Sequence, residues 1–172
     1  PGGFVAGAAT AGIKASGRPD LALVQATAGP AAAAAVFTTN QVVAAPVEAS
    51  RANLAITRPE GRGDGGSHYG RAQAIVATSG SANAATGLAG LADQVAIAHA
   101  VATHLHVDPL SVLSLSTGII GTRLPVAQVV AGIATLAGNG LAADDAALAA
   151  VAEALRTTDS VATMATARVE LP

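Results

Sequence analysis

Leu110 to Gly121 reads LSVLSLSTGIIG. Apolar and small polar residues alternate as far as Ser116, which predicts a strand over Leu110 to Ser116 running into a turn at Ser116-Thr117-Gly118. Pro125 then marks a helix start, with Val126 to Leu136 as its body and Gly138-Asn139-Gly140 as its stop. Backbone N–H groups at such a turn lie beyond the strand ladder, and Gly118 has no side chain to block close approach. A Thr117 hydroxyl beside the Gly118 amide makes a two-donor oxyanion hole, and one such donor is worth about 2.7–4 kcal/mol of transition-state stabilisation. An ordinary strand-to-helix turn has the same spacing, and spacing alone leaves both readings open.

Upstream, Gln73 to Thr78 (QAIVAT) predicts a strand ending in a small polar turn, Ser79 to Asn83. Asn83 there either binds a substrate carboxylate or amide, or caps its own turn. Leu91, Val95, Ala98, Ala102 and Leu105 fall at helical spacing. Gly3 to Lys14, Asp20 to Ala26 and Ala33 to Thr38 read as extended apolar segments, with a turn at Ala15 to Pro19 and a further strand and loop within Pro46 to Ile56. Residues 57–70 (TRPEGRGDGGSHYG) form a glycine-rich insert expected to be a flexible surface loop. Downstream, Asp144 or Asp145 caps a helix through Leu155, Thr157-Thr158-Asp159 closes it, and Ala165 to Leu171 reads as a last strand. Strands early and helices late predict one α+β layered sheet-and-helix domain over residues 1–172.

Composition narrows the classes. Hydrophobic residues make up 51% of the 172 and aromatics only 2%, so the core has to be aliphatic. A net charge of -2 without a Lys/Arg cluster, and the lack of aromatic platforms, argue against a nucleic-acid partner. No run of about 18 apolar residues predicts a membrane span, and the N-terminal residues do not have the pattern of a signal peptide. The sequence has no cysteine, which excludes disulfides and thiolate chemistry and fits a cytoplasmic setting. It opens at Pro1 and its one methionine is Met164, so the start of the precursor is expected upstream. His104 and His106 stand two apart, a poor match to ligands on one helical face, and no metal site is expected. Lys14 is either a charged substrate contact or a solvated turn lysine. Nothing matches a phosphate-binding or dinucleotide loop.

Several motifs occur together in order. They are Gly12-Ile13-Lys14 with Asp20-Leu21-Ala22-Leu23, Val36-Phe37-Thr38-Thr39-Asn40-Gln41 with Ala44-Ala45-Pro46-Val47, and Ser79-Gly80-Ser81-Ala82-Asn83-Ala84. Ser116-Thr117-Gly118-Ile119-Ile120-Gly121, Arg123-Leu124-Pro125 and Thr157-Thr158-Asp159 follow. This set resembles the ornithine acetyltransferase/N-acetylglutamate synthase family of arginine biosynthesis, over nearly the whole chain. The resemblance implies the N-terminal α chain of a self-cleaving precursor whose C-terminal β chain begins with a nucleophilic threonine. It implies ping-pong transfer of acetyl from N-acetylornithine to glutamate, without a cofactor but with acetyl-CoA as an alternative donor. It further implies an oxyanion hole at Thr117 and Gly118, a substrate contact at Thr157, an α2β2 or higher assembly, and a cytoplasmic location.

The sequence departs from the family where Thr78 and Ser81 replace asparagine, where Ala85 replaces cysteine, and where Ala162 or Thr163 stands in the region of a lysine. The family's Ala-Lys-Gly segment and its nucleophile are expected beyond residue 172. Ala162-Thr163-Met164 resembles the family's cleavage sequence but follows Thr157-Thr158-Asp159 too closely, so Thr163 is not expected to be the nucleophile. Two alternatives stay open: a related self-cleaving acyltransferase or amidase with another substrate, motivated by Thr78, Ser81 and Ala85, and a non-catalytic partner subunit.

Overall fold

The computed structural model describes residues 2–60 and 68–168. Four strands form one sheet in the order β1 (Phe4–Ala9), β2 (Leu21–Ala26), β5 (Ala74–Ser81), β6 (Val112–Ile119). β1, β2 and β5 pair antiparallel, whereas β5 and β6 run parallel with Thr78 opposite Ser116 and Gly80 opposite Gly118. A parallel pair needs a crossover, and α2 (Gly87–Leu105) followed by a 3-10 turn at Pro109–Ser111 supplies it. β3 (Ala31–Ala35) and β4 (His68–Ala72) form a separate antiparallel ribbon. With α1 (Ala45–Ile56), α3 (Val126–Asn139) and α4 (Asp145–Leu155) this is the expected α+β layered class.

Side-chain alternation along the sheet divides the core. Leu21, Leu23, Ala74, Val76 and Val112 face one side and pack with Ile97 and Val101 of α2 and Val129, Ile133 and Leu136 of α3. On the other face Ala22 and Ala77 meet only Ala154 and the half-buried Val151 of α4, beside Ala8. The chain passes from the first face to the second around the edge of β1. There Ala6 and Ala142 exchange two backbone hydrogen bonds, at 2.8 and 2.9 Å. Asp144 then caps α4 by accepting the Ala147 N–H at 2.8 Å, as its position before an alanine-rich run predicts.

Several expectations are corrected. Pro46 to Ile56 is helix, not strand: Pro46 sits in the first turn, and Pro46, Ser50 and Leu54 recur every four residues on the buried face. The strand expected at Ala33 to Thr38 is Ala31–Ala35, five alanines held extended by pairing with β4 against their helix propensity. The supposed insert contributes His68 to Gly70 to β4, and residues 61–67 lie outside the described residues. β5 runs on through Ser81 and β6 through Ile119, so Ser79 to Ser81 and Ser116 to Gly118 are strand ends, not turns. Ala165 to Arg168 form no strand, and the remainder of that segment lies outside the described residues. In α2 the buried face carries Asp93, Gln94, Ile97, Ala100 and Val101, while Val95 is exposed: Ile97, Ala100 and Val101 pack in the core, and Asp93 on that face pairs with Arg123.

β6 is one of the two edge strands of the sheet, and α1 satisfies its edge. The buried Ser50 hydroxyl donates to the Ser114 carbonyl at 2.9 Å and accepts the Ser114 N–H at 2.8 Å. Asn53 Nδ2 donates to the Val112 carbonyl at 2.8 Å. Ser50→Ala leaves both Ser114 backbone groups buried without a partner, an expected loss of about 1–3 kcal/mol. Urea denaturation should show a lower midpoint at unchanged slope.

Candidate active site

The parallel strands β5 and β6 end side by side, and at their ends the backbones approach unusually closely. Gly118 has φ +131°, and a Cβ built on it would lie 2.6 Å from the Gly80 carbonyl oxygen and 2.7 Å from the Ser81 nitrogen. Gly80 has φ +114°, and a Cβ there would lie 2.9 Å from Ile13 Cγ2. Backbone therefore stacks on backbone between β6 and β5, and Ile13 of the loop after β1 closes over Gly80, so neither glycine has room for a Cβ.

That loop is held from beneath by Asp20, which has no solvent exposure. One carboxylate oxygen accepts the Ala11 N–H at 2.6 Å; the other accepts those of Ile13 and Lys14 at 2.6 and 2.9 Å. The Asp20 carbonyl accepts the Ser79 N–H at 2.9 Å, so the same residue ties the loop to the end of β5. Oxygen atoms gathering successive backbone N–H groups fix a loop more tightly than apolar contact alone.

A cavity of about 600 Å³ opens over this stack. Its lining is drawn from Ile13, Lys14 and Arg18 of the loop after β1, Thr117 and Gly118 of β6, and Thr157 with Thr158 after α4. Thr117 and Thr157 are half-buried and Gly118 is exposed. The candidates Thr117, Gly118 and Thr157 thus share one cavity although 39 residues separate Gly118 from Thr157 in sequence. Lys14 is neither solvated nor free: Nζ donates to the Pro19 carbonyl at 2.8 Å and the Ala154 carbonyl at 3.0 Å. Burial holds its pKa below the ordinary lysine value, Arg18 adds to that, and Asp20 and Glu153 oppose it.

Asn83 lies elsewhere. It is fully buried, its Nδ2 donates to the Gly90 carbonyl at 3.1 Å, and its Oδ1 accepts from the Thr86 hydroxyl at 2.8 Å. Its side chain braces the start of α2, the turn-capping alternative noted from sequence. Thr78, Ser81 and Ala85 do not line the cavity either. Thr78 pairs with the Ser116 hydroxyl at 2.8 Å, and Ser81 donates to the Thr122 carbonyl at 3.0 Å. Among the described residues no group of three His, Cys, Asp or Glu side chains could hold a metal ion, and no helix is long and apolar enough to cross a membrane.

Sequence reasoning missed Asp20, Arg18 and Ser79. A signal for Asp20 existed: an aspartate directly before an apolar strand and after a turn bearing Gly12 and Gly17 is well placed to collect backbone N–H groups. Gly118→Ala should destabilise the fold by at least about 2 kcal/mol, since an L-residue at that φ is strained by about 1–3 kcal/mol even before its methyl meets Gly80. Chemical denaturation measures the loss; an unshifted midpoint would mean that the close approach is absent.

The chain resembles known proteins along nearly its full length. A family model described as "ArgJ family" matches residues 5–171. The arginine biosynthesis bifunctional protein ArgJ of Thermosynechococcus vestitus is 43% identical over 92% of this chain and 34% of its own length. The protein of the same name from Symbiobacterium thermophilum is 42% identical over 99% of this chain and 39% of its own length. The crystal structure of ornithine acetyltransferase from Mycobacterium tuberculosis, complexed with ornithine, superimposes with a TM-score of 0.83 at 41% identity, covering 94% of this chain and 79% of that one. The chain therefore spans between 34% and 39% of the length of these curated relatives.

Proposed function

The chain belongs to the ArgJ family, and from that premise we propose that it is the oxyanion-stabilising part of a glutamate/ornithine N-acetyltransferase. The observation that carries this reading is the cavity that Thr117, Gly118 and Thr157 line together. In the proposed reaction a threonine nucleophile supplied by a C-terminal β chain attacks the acetyl carbonyl of N-acetylornithine. Ornithine leaves, the acetyl group rests on that threonine as an ester, and glutamate's amine then takes it in a second displacement. The carbonyl oxygen gains negative charge in both half-reactions, so one pair of donors serves twice.

The Thr117 hydroxyl is suited to be the first donor, since it has no hydrogen-bond partner among the described residues. The Gly118 N–H is suited to be the second. Along β6 the backbone groups of Val112 and Ser114 point to the outer edge, where Asn53 and Ser50 meet them, and Ile119 points its carbonyl to Ala82. Continuing that alternation carries the Gly118 N–H to the outer edge, away from β5. Thr157 on the facing wall contacts the substrate. Arg18 makes the lining positive, a favourable setting for an amino-acid carboxylate and for developing negative charge. Thr78, Ser81 and Ala85 lie off the cavity and so give no support to a different substrate. We take the β chain, an α2β2 or higher assembly, a cytoplasmic setting, the absence of a cofactor and acetyl-CoA as an alternative donor as parts of the same proposal.

The test is the full-length protein carrying Thr117→Val, which keeps the side-chain shape and removes the hydroxyl. Acetyl transfer from N-acetylornithine to glutamate, followed by chromatography, should lose about a hundredfold in kcat with KM for the donor little changed, the signature of an interaction made in the transition state. Absence of transfer by the correctly processed wild-type protein would overturn the assignment, and an undiminished kcat would remove Thr117 from it.

A further inference from the structure

The Thr157 segment of the cavity lining is tied to the rest of the chain through backbone carbonyls. Ala154, in the last turn of α4, offers its backbone oxygen to two side chains from other parts of the chain: Lys14 Nζ at 3.0 Å and the buried Ser79 hydroxyl. Three residues on, the Thr157 carbonyl accepts from Arg18 Nη2 at 3.1 Å. Within the segment itself Arg156 grips Glu153 through Nε and Nη2, and its Nη1 donates to the Asp159 carbonyl at 3.0 Å. Helix C-terminal carbonyls have no partners of their own and carry the negative end of the helix dipole, so an ammonium and a hydroxyl are fitting donors there.

Apolar packing does little of this work. Among the described residues the buried apolar cluster at the α4 face consists of Ala22, Ala77 and Ala154, against twelve residues in the cluster on the opposite side of the sheet. Alanines remove little apolar area from water, so the helix end is positioned mainly by its polar contacts. Both Lys14 and Ser79 are rigid bases for such contacts. Lys14 has its N–H on Asp20, and Ser79 has its N–H on the Asp20 carbonyl.

We infer that Lys14, assisted by Ser79, is a positioning residue that sets the Thr157 wall of the cavity by pinning the Ala154 carbonyl. This rests on the acetyltransferase reading for its kinetic consequence, and on geometry alone for its structural one. Lys14 then acts through Thr157 and not as a substrate contact. Misplacement of a substrate-contacting group by about 1 Å can cost up to a hundredfold in rate, so a modest shift of the helix end is enough to be seen.

The experiment uses the full-length protein with Lys14→Met, Ser79→Ala, Thr157→Ala and the double variant Lys14→Met/Thr157→Ala. Amide hydrogen exchange at residues 153–156, whose N–H groups close the last turn of α4, should quicken by about tenfold or more in Lys14→Met while the first two turns of α4 stay protected. Ser79→Ala should give the same local pattern at smaller size, which keeps the test informative if Lys14→Met folds poorly. Unchanged exchange at 153–156 in both variants overturns the inference whatever the enzyme's activity. Where acetyl transfer is measurable, Lys14→Met should raise KM for the donor by about tenfold, and adding it to Thr157→Ala should change KM by less than about twofold. Effects that multiply fully in the double variant would mean that Lys14 acts independently of Thr157, and would also overturn it. A wild-type protein without acetyl transfer defeats the functional reading and leaves the exchange result to decide the positioning.

Discussion

The close approach of three backbones, at Gly118, Gly80 and Ile13, is the constraint around which the site is built. Each glycine adopts a positive φ; a Cβ on Gly118 would meet the Gly80 and Ser81 main chain, and one on Gly80 would meet Ile13 Cγ2 at 2.9 Å and the Ile13 carbonyl at 3.2 Å. Such a stack is made possible by the parallel register that sets Gly80 opposite Gly118, and that register in turn requires α2 as the crossover. The large aliphatic residues between the sheet and α2–α3 hold the register in place. Asp20 completes the stack from the far side by fixing Ile13 and Lys14 through their N–H groups. Core packing, strand pairing and one buried carboxylate thus converge on a few ångströms at the strand ends.

Buried polar groups do a large share of the organising, which suits a chain with few large side chains. Asp20 gathers N–H groups, Asn83 braces the first turn of α2, Ser50 closes the edge of β6, and Ser79 reaches the end of α4. Each of them holds at least one backbone group, so a single side chain replaces the contact that a bulky apolar residue would make elsewhere. The cost of leaving any of these backbone groups unpaired is greater than the net gain of pairing them. Positions of this kind specify geometry more than they add stability.

Much of this was legible in the sequence, and the failures share one cause. The oxyanion candidate could be read because alternation runs into Thr117-Gly118, and the α4 cap because Asp144 precedes an alanine run. Alanine itself misled. It serves equally in the strand Ala31–Ala35, where β4 imposes extension, and in the helix Ala45–Ile56, where Pro46 and the four-residue recurrence of Ser50 and Leu54 decide. Lys14, Arg18 and Ser79 were illegible as a group, because their shared targets, the carbonyls of Ala154 and Thr157, are backbone atoms that leave no trace in residue type. Asn83 could be read only as a choice between two roles, and its burial beside Gly90 and Thr86 depends on tertiary structure.

The thinness of the α4 layer has a physical reason of its own. A helix lying on alanines sits closer to the sheet than one lying on leucines, and only at that distance does a short side chain such as Ser79, rooted in β5, reach a helix carbonyl. The small residues at Ala22, Ala77 and Ala154 are therefore part of the cavity's construction even though none of them lines it. Larger apolar residues there would strengthen the layer by burying more surface, but they would lift the helix end off Lys14 and Ser79. Stability on the α2–α3 face and closeness on the α4 face are complementary: the first keeps the sheet fixed so that the second can be held by hydrogen bonds.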